Sequence, residues 1–336
     1  MLDRDLPLDT LLDHLHRLAR SSLHLWAVPD GADIRLINVS ENVTFLVEAP
    51  DGFRAVLRAH REDYHSRRAI DSELAWLRAL DADGAVPTPR VYAGRDGRAI
   101  QTGRTPGLER PRFMVLFHFI EGHAPDEDGD LTPGFEELGA LAARCHQHVL
   151  RWPRPEGFER LTWDTEAVFG PAPTWGDWRD APNLDGDMRV VLERVERVVR
   201  ARLDRFGKAP DRYNLIHADM RLANLLVGPA GTRVIDFDDC GMGWFLYDFA
   251  AAISFIEDDP RIPALKSAWL RGYRTVRALS PEEEAEIDTF VMLRRMALLA
   301  WIGSHIEAPE PQQMAPTFAA GTAELGRAYL ARFDAG

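Results

Sequence analysis

Leu8, Leu11, Leu12, Leu15 and Leu18 recur at helical spacing, which predicts an N-terminal amphipathic helix ending before the loop Pro29-Asp30-Gly31. A period of two then takes over. Val43, Phe45 and Val47 alternate, Pro50-Asp51-Gly52 turns the chain, and Phe53, Ala55 and Leu57 alternate again. A strand–turn–strand is therefore expected, with Arg54, Val56 and Arg58 on the opposite face of its second strand. Ile70, Leu74, Leu77 and Leu80 predict a helix capped near Ser66 and broken at Asp83-Gly84. After a loop marked by Pro87 and Pro89, the apolar run Phe113 to Ile120 reads as a buried strand, closed by Glu121-Gly122 and the acidic stretch Asp126 to Asp130. Beyond it the period is helical: Phe135, Leu138, Leu141, Cys145 and Val149 form one face, and Met188, Val191, Leu192, Val195, Val199 and Leu203 another. Trp152 to Asp185 has no period, Tyr213 to Phe237 reads as strand–loop–strand, and the remainder is mostly helical. The expectation is an α+β chain with a β-rich N-terminal lobe, residues 1–120, and a mainly helical C-terminal lobe, residues 121–336.

A length of 336 residues suits two domains or one bilobed unit, and 46% hydrophobic with 28% charged residues excludes wholesale disorder. The formal charge of −13 argues against nucleic acid or an anionic membrane as a partner and is compatible with a cationic small molecule. Two cysteines, Cys145 and Cys240, build neither a disulfide framework nor a four-cysteine zinc site. The N-terminus carries acids where a signal peptide needs a basic start. The apolar runs near Gly241 to Ile256 and Met296 to Ile306 fall short of the roughly 20 residues of a membrane span or are interrupted by Asp248. A cytoplasmic location is expected. Only two lysines, Lys208 and Lys266, occur, so nearly every basic residue is arginine.

The chemistry concentrates in Leu215-Ile216-His217-Ala218-Asp219-Met220-Arg221-Leu222-Ala223-Asn224, followed by Val234-Ile235-Asp236-Phe237-Asp238. Phosphoryl transfer needs a carboxylate to orient the attacking hydroxyl and accept its proton, and oxygen ligands to hold Mg²⁺ on the phosphates. Asp219 can meet the first need, Asn224 and Asp236 the second. Read singly, an Asp or Asn beside a strand is a turn or cap residue, and His217 is a packed, hydrogen-bonded residue.

Together, His217-Ala218-Asp219 through Asn224 and Ile235-Asp236-Phe237 resemble the aminoglycoside phosphotransferase and choline-kinase-like superfamily, as do Gly241, Gly243 and Tyr247-Asp248-Phe249-Ala250 downstream. The resemblance runs from about Ile34 to Trp301. It implies a protein-kinase-like two-lobed fold with MgATP between the lobes. Asn38 to Phe45 stands where such a kinase places its nucleotide loop; it contains no glycine, and backbone N–H groups with Ser40 or Asn42 are the candidate phosphate contacts. Read without the family it is a β-turn. Arg58 occupies the place of the family's phosphate-binding lysine, a departure that keeps the charge and changes the geometry. Glu73 is its candidate ion-pair partner; otherwise the two are a strand residue and a helix charge in solvent. The segment ending at Glu121-Gly122 resembles the hinge, where adenine would meet backbone groups near His118 to Ile120.

Asp238 and Asp239 read as exposed loop acids, and Asp248 as the cap of the following helix. Trp152, Trp163, Trp175 and Trp178, and the late-helix Arg294, Arg295 and Trp301, receive no assignment: aromatic walls can cover a cation or sugar, and can equally pin a loop to the core. Cys145, His146 and His148 do not share one helix face, which disfavours zinc.

The expected activity is transfer of the γ-phosphoryl group of ATP to a hydroxyl of a small amino-bearing molecule, with Mg²⁺ as cofactor. A Ser/Thr protein kinase of the bacterial stress-response type, which the late helix through Leu298-Leu299-Ala300-Trp301 also resembles, and a homoserine kinase are the alternatives within enzymes. A nucleotide-binding pseudokinase, favoured by Arg58 and disfavoured by the intact Asp219, Asn224 and Asp236, is the alternative of another class. Acceptor identity and oligomeric state are left open by the sequence.

Overall fold

The structure is a computed structural model that describes residues 6–39, 42–125, 129–229 and 231–334. Its Cα packing divides the chain into two units. One comprises Met1–Gly122, Arg154–Glu159 and Gly228–Arg233, the other His123–Pro153, Arg160–Val227 and Val234–Gly336.

The first unit opens with helix α1 (Leu8–Ser22), whose Leu15, Leu18 and Ala19 are buried. An antiparallel sheet follows, formed by β1 (Asp33–Val39), β2 (Val43–Glu48), β3 (Arg54–Ala59), β4 (Ile100–Gly103) and β5 (Arg112–His118), in the order β1-β2-β3-β5-β4. β1 and β4 were not anticipated. They are the sheet's two edges, and on β1 only Ile34 is buried while Leu36 and Ile37 are exposed. No apolar alternation therefore marks it. Phe45, Val47, Ala55 and Leu57 face the predicted core together with Leu18 and Trp26.

Helix α2 (Arg67–Ala82) lies where its period and its cap predict, with Ser66 Oγ accepting the Ala69 N–H at 3.0 Å. Its first turns are also held by the 154–159 segment, distant in sequence: Glu159 N–H donates to Ser72 Oγ at 3.0 Å, and Arg68 donates to the Gly157 carbonyl.

The second unit is built on α3 (Thr132–Val149), which crosses α7 (Ile262–Arg274) at unusually short range. Gly139 and Gly272 sit at that crossing. A Cβ on Gly139 would stand 2.0 Å from the Trp269 carbonyl oxygen, and one on Gly272 1.7 Å from that of Glu136. Side-chain-free positions are what let the backbones meet.

Between them in sequence lie β6 (Leu161–Trp163), α4 (Thr165–Phe169), α5 (Gly186–Phe206), β7 (Tyr213–Ile216), β8 (Leu225–Gly228), β9 (Gly231–Val234, almost wholly in the first unit), β10 (Gly241–Trp244) and α6 (Tyr247–Ala252). β10 pairs in parallel with β6 and antiparallel with β7. A Cβ on Gly241 would come within 2.6 Å of the Leu161 carbonyl oxygen, so a residue with a side chain would push β10 off its neighbour. The chain ends in α8 (Pro281–Ala285), α9 (Ile287–Ser304) and α10 (Pro309–Phe333). α9 is buried along nearly its whole length, including Arg294 and Arg295. No helix among the described residues is long and apolar enough to cross a membrane.

Candidate active site

β7 delivers His217, Ala218 and Asp219 into a loop that closes on a 3-10 turn, Leu222–Asn224. Two residues near it hold left-handed backbone without being glycine: Ala218, with φ of 67°, and Asp236, with φ of 57°. Such conformations cost of order 1–3 kcal/mol and persist where the surroundings impose them. Here the surroundings are visible. Asp248, fully buried, accepts the Ala218 N–H on Oδ1 at 2.7 Å and the His217 N–H on Oδ2 at 3.3 Å. Asp248 is thus not the cap expected from sequence; α6 has no side-chain cap, and the carboxylate grips the preceding loop.

His146 Nε2 stands 2.9 Å from Asp248 Oδ2, and its Nδ1 2.9 Å from the Tyr273 hydroxyl. Burial pulls the His146 imidazole below its ordinary value against the opposing pull of Asp248. A neutral ring donates through Nε2 to the carboxylate and accepts the Tyr273 O–H on Nδ1, and burial keeps that phenol protonated. Arg277 donates to the Tyr273 oxygen at 3.3 Å and completes the chain. His217 is also structural: its Nε2–H donates to the Ile235 carbonyl at 3.1 Å, and its Nδ1 accepts the Asp219 N–H at 3.3 Å.

The Asp219 carboxylate is fixed at both oxygens. Arg294 Nη2 donates to Oδ1 at 2.9 Å, and Asn224 Nδ2 donates to Oδ2 at 2.8 Å. Asn224 Nδ2 also donates to the Asp219 carbonyl at 2.8 Å. With its amide nitrogen committed there, the Asn224 side-chain oxygen is directed away from Asp219. The Asn224 carbonyl accepts the Ile235 N–H at 2.9 Å, which draws Asp236 into the same neighbourhood. Asp236 is exposed. Arg221 Nε lies 3.4 Å from Asp219 Oδ2, and the charge of Asp219 lifts its guanidinium above the ordinary value, with Glu310 and Asp236 adding to it.

The segment after Asp236 is held by its carbonyls. Arg160 donates to those of Asp238 and Cys240, and Trp163 Nε1 to that of Asp239 at 2.7 Å. Asp238 is 5% exposed rather than the solvent-facing acid its sequence suggests, because the loop is folded inward by these contacts.

In the first unit, Arg58 Nη2 meets Glu73 Oε1 at 2.8 Å and Oε2 at 2.7 Å, with both side chains buried and the guanidinium 5.1 Å from the Phe117 ring centre. Asn42 is buried, and its Oδ1 accepts the Arg61 N–H at 3.1 Å. Ser40 lies outside the described residues. The His118 N–H is committed to the Arg90 carbonyl at 2.8 Å, so it is not available to a base. Its ring stacks on Tyr92 at 3.7 Å, and burial lowers its basicity. Ile120 is half-buried just beyond β5.

Sequence reasoning left Arg294, Arg160 and His146 without a role. For Arg294 a signal existed: two consecutive arginines within an otherwise apolar helix need buried partners. For His146 the partners lie more than a hundred residues away, and nothing local announces them.

Residues 33–279 match the model of the phosphotransferase enzyme family. The chain belongs to that family. Among solved structures it is similar to a microcompartment-associated aminopropanol kinase, 44% identical with a TM-score of 0.86 over 93% of this chain and 97% of that one. It is also similar to an amicoumacin kinase solved with AMP-PNP and Ca²⁺, 20% identical with a TM-score of 0.74 over 93% of each chain. Homoserine kinase of Pseudomonas aeruginosa strain PAO1 is 28% identical over 303 residues, 87% of each protein. As a member of this family the chain is an ATP-dependent small-molecule kinase with an alcohol group as acceptor, on a protein-kinase-like fold.

Proposed function

We propose that the protein phosphorylates the hydroxyl of a small amino alcohol at the expense of MgATP. The observation that carries the reading is the doubly held carboxylate of Asp219, set beside an asparagine whose side-chain oxygen is left for another ligand. Asp219 orients the acceptor hydroxyl and takes its proton as the oxygen attacks the γ-phosphorus. Asn224 and Asp236 offer hard oxygen atoms, one neutral and one anionic, which is the donor set Mg²⁺ prefers when the nucleotide phosphates supply the rest. Bound there, Mg²⁺ would neutralise charge on the β- and γ-phosphates. In the first unit Arg58, oriented by its Nη2, which donates to both Glu73 oxygens, is the phosphate contact.

The choice of an amino alcohol is supported by the 44% identity to the aminopropanol kinase. A hydroxy amino acid is the second reading, favoured by the likeness to homoserine kinase.

The test is transfer from γ-labelled ATP with Mg²⁺ to aminopropanol, ethanolamine and homoserine in separate reactions, with Asp219→Asn as control. Label on an amino alcohol, lost in the control, is expected. Label on homoserine alone would select the second reading, and transfer surviving in Asp219→Asn would remove Asp219 from its role.

A further inference from the structure

At the centre of α9, Arg294 and Arg295 point in directions about 100° apart and meet different partners. Arg294 is 2% exposed. Its Nη2 donates to Asp219 Oδ1 at 2.9 Å and its Nε to Ser254 Oγ at 3.1 Å. The Trp175 and Tyr247 ring centres lie 5.1 and 5.9 Å from the guanidinium carbon. Trp163 closes the group, 4.7 Å from Trp175 and 6.2 Å from Tyr247. This is an aromatic enclosure of the kind that recognises cations, and it is already filled by the protein's own guanidinium.

A buried charge is a poor way to stabilise a core, since well-packed apolar residues of similar volume usually do as well or better. Within the enclosure Arg294 pairs with the Tyr247 hydroxyl, and the Trp175 indole nitrogen is buried without a hydrogen bond. Filling space does not explain a buried guanidinium at this position. The contact with Asp219 does. Burial opposes the guanidinium charge, while Tyr247 and Asp219 more than offset it, so the group remains a cation.

We propose that Arg294 is a positioning residue: a permanent internal cation that fixes the Asp219 carboxylate from the Oδ1 side, opposite Asn224, so that its remaining lone pairs meet the acceptor hydroxyl in one orientation. The proposal rests on the reading of Asp219 as the group that receives the acceptor proton. A misplacement of about 1 Å in such a group costs on the order of 10²-fold in rate. The cage around Arg294 is therefore not where an acceptor ammonium binds.

The experiment compares Arg294→Ala, Arg294→Lys, Ser254→Ala and Asp219→Asn in the full chain. It measures kcat and KM for aminopropanol, or MgATP hydrolysis to water should aminopropanol not be phosphorylated, with MgATP affinity and melting temperature in parallel. Arg294→Ala is expected to lose about 100-fold in kcat with MgATP affinity within about twofold of wild type, and millimolar methylguanidinium to restore at least about tenfold. Arg294→Lys should retain more turnover than the alanine variant. Ser254→Ala, which frees Nε without removing the charge, should lose about three- to tenfold in kcat and little stability.

Wild-type kcat in a folded Arg294→Ala would overturn the proposal. So would a loss of kcat that methylguanidinium does not restore and that follows loss of nucleotide binding. If Arg294→Ala does not fold, Ser254→Ala decides, and an unchanged kcat there is fatal. Normal turnover by Asp219→Asn would instead sink the reading of Asp219, whereas a dead Asp219→Asn beside unaffected Arg294 variants sinks only the positioning role.

Discussion

Asp248 Oδ1 accepts the backbone N–H of Ala218 at 2.7 Å, one residue before Asp219. The left-handed turn at Ala218 is held from a different element, α6, by a carboxylate that is itself held by His146. The acid proposed to do the chemistry is thereby positioned through its own main chain as well as through its side chain.

Asp248→Ala removes an acceptor from two buried N–H groups and from His146. Hydrogen bonds to a charged group contribute about 1.5–3 kcal/mol each and do not simply add, so a loss of at least about 3 kcal/mol in stability and at least about 100-fold in kcat is expected. Urea denaturation and steady-state kinetics measure the two, and a variant as active as wild type would show the loop to be held elsewhere.

Buried and neutral, His146 has its basicity lowered in the folded state, whereas in the unfolded chain it titrates near the ordinary 6.5. Below that pH the unfolded state binds the additional proton, so this residue's contribution is full above about pH 6.5 and falls as pH drops, by up to about 1.4 kcal/mol per unit. Urea midpoints between pH 7.5 and 5.5 should decline more steeply for wild type than for His146→Gln. Parallel slopes would place the proton elsewhere.

At the α3–α7 crossing, the Gly272 Cα faces the Glu136 carbonyl with no room for a methyl group. Gly272→Ala should destabilise by about 1–3 kcal/mol, the usual penalty of overpacking. Helical propensity alone would favour alanine by about 1 kcal/mol. A melting temperature above wild type would therefore mean that the helices separate at little cost.

Arg58 and Glu73 form a buried pair, and removing one partner of such a pair costs about 3–5 kcal/mol. Glu73→Ala is expected to fall in that range. Arg58→Lys should stay folded and active with a KM for ATP raised severalfold, because an ammonium reaches one point where the guanidinium reaches two. A KM unchanged in Arg58→Lys would argue against direct contact with phosphate.

The elements that carry apolar periodicity on one buried face, α1, β2, β3, α2, α3 and α5, and the apolar run of β5 were legible in the sequence. The edge strands β1 and β4 were not: β1 buries one residue in seven and so has no pattern to read, and β4 is only four residues long with one strongly apolar side chain, Ile100. β10 lay hidden in an apolar run that continues into α6; only its paired glycines hinted at close neighbours. In the candidate site, Asp219, Asn224 and Asp236 were singled out by the resemblance of their combined motif to the phosphotransferase superfamily, and a loop between two short strands keeps them near in sequence. Asp248 was seen but given the wrong task, since a helix-start acid caps its own helix unless something more distant needs it. Arg294 comes from a remote helix, and its reach to Asp219 is a property of packing rather than of any local motif.

Arg295, the neighbour of Arg294, sits over the Phe318 ring at 3.5 Å, donates to Thr322 Oγ1 at 2.9 Å and pairs with Glu257. Two of those three partners belong to α10. During synthesis, Asp219 leaves the ribosome long before α9 brings Arg294, and α9 cannot bury its second arginine until Phe318 and Thr322 of the last helix have been made. A nascent chain therefore carries Asp219, Asn224 and Asp236 before α9 supplies the guanidinium at Asp219 Oδ1 and before α10 supplies the side chains that cover its neighbour. The order of translation thus puts this loop on the ribosome ahead of the last of its supports.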